Sequence, residues 1–474
     1  MVFSSVLFIF AFLPFTLACY FLAWKAGGIR PANLVLLGAS MGFYAWGGLR
    51  FFLILLAVIA VNYLLTLAMD RVRGNLFLKR TCLILILLAD LGNLLYFKYF
   101  NFLAENLRHA GSLLGLELFE TLPAVVLPIG ISFYTFQILS YAADLYLGRV
   151  PLQKNPLDLA LYVMMFPQLI AGPIVRYSDI NEEIGRRRIT AADLEAGSCR
   201  FIRGFAKKVF LANACGRMAD TIFAMPGKVN CGYAWLGAAS YALQIYYDFS
   251  AYSDMAIGIG RILGFHFAEN FNQPYLAAGI QEFWRRWHIS LSSWFRDYVY
   301  IPLGGNRRGS LRTYCNLALV FLLTGFWHGA AWQFVIWGLF HGFFSVLERL
   351  GLGRLLKRLP RLIARCYTML VVLTGWVFFR ADDLPEACRY LKNMFSFDFG
   401  RAKQLPVAEA LTPMVLICLL TGTFFALVKL PEGWAEPGEG KRGAFLCAAY
   451  LLLWGLAVLY LTGLSYNPFI YFKF

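Results

Sequence analysis

Three histidines stand in settings where an imidazole could act on a substrate. His328 lies in the apolar run Leu322-Leu323-Thr324-Gly325-Phe326-Trp327-His328-Gly329-Ala330-Ala331-Trp332. An ionisable side chain persists in such a run where it faces a cavity or a partner. It could bond a neighbouring helix, or serve as a general base kept neutral in an apolar site. The flanking glycines favour a helix break or a close approach of backbone to a ligand. If the helix continued, Thr324 and Trp332 would share the face of His328 at four-residue spacing. His288 lies in Phe283-Trp284-Arg285-Arg286-Trp287-His288-Ile289-Ser290-Leu291-Ser292-Ser293-Trp294-Phe295-Arg296-Asp297-Tyr298, where arginines and tryptophans alternate. On one helix Trp284, His288, Leu291 and Phe295 would form one face. Arg285, Arg286 and Arg296 do not suit a full membrane span. The segment reads either as a re-entrant piece beside an aqueous cavity or as an aromatic and arginine belt at the headgroups. His341 follows His328 by about 220° on a continuous helix, nearly opposite, which suits a supporting role. His109 reads as a solvated loop residue and His266 as structural.

Other polar groups in apolar surroundings narrow the search. Asp248 and Asp254 fall in Tyr246-Tyr247-Asp248-Phe249-Ser250-Ala251-Tyr252-Ser253-Asp254. Two carboxylates there must be paired or face water, and scaffolding contacts to nearby arginines fit better than paired catalysis. The ten cysteines are scattered without a CxxC pair, so neither a metal site nor a disulfide framework is expected. There is no Walker-type phosphate loop and no HExxH. The letters GxGxxG at 438–443 have no strand before them. GxSxG at 38–42 lies inside an apolar span, where small-residue helix packing explains it better than a nucleophile elbow.

The chain that must position these residues is 59% hydrophobic and 15% charged. Ordinary globular chains hold about 45–50% apolar and about 25% charged residues. A soluble enzyme, a disordered chain and a fibrous repeat are excluded, and an all-α, polytopic membrane protein remains. The net charge of +16 would suggest nucleic acid in a soluble protein. Here basic cytoplasmic loops explain most of it, and the rest could steer a phosphate-bearing substrate; no nucleic-acid partner is expected.

A bilayer core of about 30 Å needs about 20 apolar residues per helix. After an uncleaved first span at 2–24, apolar runs recur near 32–47, 51–69, 81–103, 123–147, 155–175, 232–263, 312–347, 363–379, 411–429 and 444–464. The run 312–347 is too long for one span and should break into two pieces at its central glycines. The segment 200–225, with Arg203, Lys207 and Lys208, reads as an interfacial or end-charged helix. The total is about 11 spans plus re-entrant or interfacial helices, in a single membrane domain covering 1–474 with a catalytic core at about 123–347. The basic loops 70–80 and 352–365 belong inside, and the acidic loop 104–122 and the N-terminus outside.

The motif pair WRRWHISLSSWFRDYVYIPLGGNR (284–307) and TGFWHGAAW (324–332) resembles the membrane-bound O-acyltransferases, in particular their alginate O-acetyltransferase branch. YFKYFNF (96–102), PIGISFYTFQ (128–137), PQLIAGPIVRY (167–177), YDFSAYSDMAIG (247–258), ENFNQPY (269–275) and the ending FIYFKF carry the same likeness, so it spans the chain. The D-alanyl transferases of teichoic acid are similar, while IPLGGNR (301–307) favours polysaccharide acetylation. The resemblance implies helices around a central tunnel, His328 as the catalytic histidine and His288 as a second active-site histidine. It implies a bacterial plasma-membrane enzyme with no permanently bound cofactor. An acyl thioester, acetyl-CoA or the pantetheine of a carrier protein, would enter from the cytoplasm. The acyl group would pass to a hydroxyl of an extracytoplasmic polysaccharide or to an extracytoplasmic partner protein that relays it. Trp327 and Trp287 could support the site, Arg285, Arg286 and Arg296 could hold phosphate, and Asp297 and Asp248 could pair with the cations. A transporter or flippase would explain the spans and intramembrane charges but not two histidine motifs set among Trp and Gly. An enzyme acylating a protein or lipid remains a third reading.

Overall fold

The computed structural model describes all residues except 1, 116–123, 226–228, 401–406, 430, 432, 434, 436–439, 464–465 and 470–474. Most of the ending FIYFKF, part of the letters GxGxxG, and Glu117 and Glu120 of the predicted outer loop lie outside the described residues. Helices form essentially all regular structure, with no strand among the described residues. Among the described residues, six helical stretches have the length and composition to cross a membrane: Phe8–Gly27, Leu49–Arg71, Leu76–Leu113, Trp332–Arg358, Arg361–Arg380 and Arg442–Thr462. The chain is a multi-pass membrane protein.

The chain forms two compact units, one of residues 1–190 with 263–268, the other of 191–262 with 269–474. In the first, Arg187 is 7% exposed, and its guanidinium joins three separate segments. It donates to the Tyr20 hydroxyl at 2.8 Å, to Asn33 Oδ1 at 2.7 Å and to the Leu263 carbonyl at 3.0 Å. The buried guanidinium thus replaces its water shell with fixed acceptors, as burial of a charge requires. The apolar run 155–175 does not form one long helix. Pro156–Met164 ends at Met165 and a short turn Phe166–Leu169 follows; Pro167 and the Gly172–Pro173 pair prevent continuation. The small-residue packing expected for the GxSxG letters is absent, because a Cβ on Gly38 or Gly42 would meet nothing within 4 Å. Ser40 between them is buried and accepts from the Phe166 amide at 3.1 Å. His109 is exposed, on the helix Phe100–Leu113 rather than in a loop. His266 is held by the Glu183 carboxylate, which accepts from its backbone N–H at 3.0 Å and lies 2.8 Å from its ring Nδ1.

The second unit is built on the 32-residue helix Cys231–Ile262, which is buried along most of its length. The helix Ala191–Ala206 and its continuation to Phe223 pack along it. This is where the mixed segment 200–225 goes: its cations face the carboxylates of the long helix. Lys207 reaches Asp254 at 2.7 Å and Arg200 reaches it at 3.0 Å. Lys208 reaches Asp248 at 2.7 Å. Both aspartates are thus paired with cations, Asp248 with a lysine rather than an arginine. The run 312–347 does break in two, giving Ser310–His328 and Trp332–Leu347.

Candidate active site

Every element of the candidate site belongs to the second unit. Ser310–His328 ends at His328 because Gly329 turns into extended backbone. Thr324 and Trp332 therefore do not share a helical face. The returning helix Trp332–Leu347 crosses the first at two glycines. A Cβ on Gly325 would lie 2.4 Å from the Phe334 carbonyl oxygen, and one on Gly338 would lie 2.4 Å from that of Phe321. Only glycine allows this approach, which brings Trp337 to a ring-centroid distance of 4.9 Å from His328. Phe379 closes another side at 5.2 Å. His341 is fully buried beside Trp337, 5.3 Å from that ring and 5.2 Å from Trp284.

The arginine and tryptophan segment is not one helix. Ile280–Arg286 and Ile289–Phe295 are separate, and His288 between them has φ 43° and ψ 56°. The predicted common face of Trp284, His288, Leu291 and Phe295 is broken there. Left-handed backbone at a residue with a Cβ is uncommon and is held by its surroundings. Two features hold it. The Glu348 carboxylate accepts from the amides of Ile280 and Gln281, the latter at 3.0 Å, and so caps the first short helix. The loop at Asn270–Asn272 pairs with the second turn: Ile289 N–H donates to the Asn270 carbonyl and Asn272 N–H to that of Arg286, each at 2.9 Å.

The result is convergence. The rings of His288 and His328 lie 6.4 Å apart between centroids, with Trp327 at 5.8 Å from the first and 4.9 Å from the second. Phe249 stands edge-on to His288 at 4.7 Å. His288 is fully buried, and burial pushes its imidazole down to about 3, so the ring is neutral. Trp287 is buried among aromatics, 4.9 Å from Trp376 and 5.0 Å from Phe271. Arg286 pairs with Glu282 at 2.8 Å, and Asp297 pairs with Arg296 at 2.7 Å.

A cavity of about 830 Å³ lies within the second unit, lined by neither histidine. Among the described residues, Arg200, Arg203, Lys207, Arg286, Arg361, Arg365 and Lys429 line it against two carboxylates, Asp254 and Glu269. Its remaining wall is largely apolar, from Phe210, Leu211, Tyr246, Ile417 and Phe425. Arg286 belongs to this wall and Arg285 does not. Asn270 also lines the cavity and bonds His288, so a single side chain links the two. Residue patterning missed Asn270, Glu348 and most of the cationic wall. ENFNQPY marks Asn270 only as part of a likeness, and the bond to His288 spans 18 residues of sequence.

Residues 120–368 match the family model described as MBOAT, membrane-bound O-acyltransferase family, which is more than half of the chain. The chain belongs to the membrane-bound O-acyltransferase family. As a member of that family it is an acyltransferase. It is 43% identical, over the full length of both chains, to a probable alginate O-acetylase of Pseudomonas putida. It is 38% identical to a peptidoglycan O-acetyltransferase of Helicobacter pylori over 83% of this chain and 80% of that one. A teichoic acid D-alanyltransferase of Bacillus subtilis is 32% identical over 45% of this chain and 56% of its own. Both histidines lie within the matched region of this membrane-bound O-acyltransferase.

Proposed function

We propose that this chain transfers an acetyl or other short acyl group from a phosphate-bearing thioester to a hydroxyl of an extracytoplasmic polysaccharide, directly or through a partner protein that relays it. The observation that carries the reading is the meeting of His288 and His328, linked through Asn270 to a cavity lined, among the described residues, by seven cations and two carboxylates. A thioester on coenzyme A or on a carrier-protein pantetheine has a phosphate end for the cations, and arginine suits bidentate phosphate binding. The relatives named above act, by their names, on alginate, peptidoglycan and teichoic acid, all polymers of the cell exterior. The chain then resides in the bacterial plasma membrane as one domain with its catalytic core at about 123–347. In this reading the helices Ile29–Ala45, Ile131–Tyr146, Cys231–Ile262, Ser310–His328 and Pro413–Leu427 would cross the membrane beside the six long apolar stretches, about eleven crossings in all.

In the reaction the acceptor hydroxyl attacks the thioester carbonyl carbon. His328 takes the hydroxyl proton as the C–O bond forms. The oxyanion needs a donor, and the Trp327 indole, beside both histidines, carries the N–H for it. The C–S bond then breaks, and the imidazolium returns its proton to the leaving thiolate. Aromatic walls keep water away from the thioester.

The test uses purified protein in lipid vesicles with labelled acetyl-CoA and oligosaccharide acceptors. His328→Gln should lower transfer by at least about 100-fold, as expected for loss of a general base. Near-normal transfer by that variant refutes the assignment. A wild-type protein that moves acceptor across the vesicle without acylating it would be a transporter instead. Mass spectrometry of surface polymers from cells with and without the active protein identifies the acceptor.

A further inference from the structure

The side-chain amide of Asn270 meets the Nδ1 nitrogen of His288. Asn270 is 1% exposed and His288 is fully buried, so neither can exchange this contact for bulk water. Asn270 Oδ1 lies 3.2 Å from His288 Nδ1, 3.3 Å from the Ser290 backbone nitrogen and 2.9 Å from Ser290 Oγ. Its Nδ2 donates to Ser253 Oγ at 3.1 Å.

These contacts fix the amide's orientation. The Ser290 backbone nitrogen can only donate, so the atom facing it must be the amide oxygen. That same oxygen faces His288 Nδ1. If Nδ1 carried a lone pair, two acceptors would oppose each other at 3.2 Å in a buried site. The favourable arrangement is Nδ1–H donating to Oδ1. A neutral imidazole protonated at Nδ1 presents its lone pair at Nε2.

We infer that Asn270 is a positioning residue of the transfer site: by accepting from Nδ1–H of His288 it keeps Nε2 of that ring a proton acceptor next to His328. The inference rests on the acyl-transfer reading and deepens it. A neutral His288 in this tautomer does not donate to the oxyanion through Nε2, which leaves that task to the Trp327 indole. It serves the step in which His328 becomes an imidazolium, because an acceptor beside a developing cation lowers its energy. The titratable side chain facing His288 is His328 on the helix Ser310–His328. The long helix presents Phe249 and, through Asn270, Ser253; the loop presents Asn270 itself.

Substitution of metal-binding histidine orienters typically costs 10–100-fold, and the same scale is expected here. Asn270→Ala should lower kcat about 10–100-fold while KM for the thioester changes much less. Asn270→Asp keeps the shape and an acceptor but adds a negative charge. A carboxylate stabilises the protonated ring and raises its pKa, so a larger share of His288 is protonated at a given pH. Burial keeps wild-type His288 neutral throughout the assay range, so Asn270→Asp should add a loss of kcat/KM toward pH 5 that the wild type lacks. The assay is label transfer from acetyl-CoA in the vesicles described above, measured from pH 5 to pH 9, with folded fraction checked by gel filtration. The absence of that added loss toward pH 5 in Asn270→Asp overturns the inference, even where Asn270→Ala fails to accumulate. Unchanged kcat in a folded Asn270→Ala overturns it as well. A wild-type protein without transfer activity would instead overturn the acyl-transfer reading.

Discussion

Gly325→Ala tests whether the glycine crossing sets the position of His328. The added Cβ would lie 2.4 Å from the Phe334 carbonyl oxygen, whereas ordinary van der Waals contact begins at 3.4 Å. The obstacle is backbone, so no rotamer change relieves it, and Gly338 Cα is also close at 3.3 Å. The two helices must separate by about 1 Å at this level. His328 follows Gly325 within one helical turn and moves with it. A misplacement of about 1 Å at a reacting group can lower the rate about 100-fold, equivalent to about 2.7 kcal/mol at 1.36 kcal/mol per tenfold. Overpacking also destabilises by about 1–3 kcal/mol, so melting of the purified variant should accompany the kinetic assay. The control is Gly38→Ala, an exposed helical site where the new Cβ meets nothing within 4 Å. That change should leave transfer intact and favour the helix by up to about 1 kcal/mol. Wild-type transfer by Gly325→Ala at matched protein level would refute the idea that this crossing positions the histidine.

Two further experiments probe the buried and exposed charges of the second unit. Lys208→Met leaves Asp248 charged and buried, since the two side chains are only 3% and 1% exposed. The expected destabilisation is about 3–5 kcal/mol, read as a lower melting temperature, and Lys208→Met with Asp248→Asn should recover most of it. Arg361→Gln combined with Lys429→Gln removes two exposed cations from the cavity wall. It should raise KM for acetyl-CoA about 10-fold with kcat nearly unchanged. The difference from wild type should shrink at high salt, because exposed charges are screened; a difference that persists would speak against electrostatic capture.

The sequence reveals the features governed by composition and local backbone chemistry. Gly329 sits where an apolar run is too long to be one span, and the break occurs there. The Asp248 and Asp254 carboxylates stand in an apolar run and are paired. The meeting of His288 and His328 was legible through motif resemblance; periodicity alone assigns each a face on a continuous helix, and neither helix continues. The left-handed backbone at His288 is hidden because histidine, unlike glycine, does not announce it. Asn270 and Glu348 escape a linear reading because each acts on a segment distant in sequence. The run 155–175 misled because its hydrophobicity is that of a span while Pro167 and Pro173 interrupt its helix.

The backbone at His288 also bears on protein engineering. By conformation alone, glycine suits φ 43° and ψ 56° better than histidine. Holding a residue with a Cβ in a sparsely populated backbone region costs of order 1–3 kcal/mol. Replacing histidine there would relieve that strain while removing the imidazole from the meeting point with His328. A search for heat-tolerant variants guided only by folding would be drawn to this position, and a trade-off between durability and turnover is therefore built into a single residue.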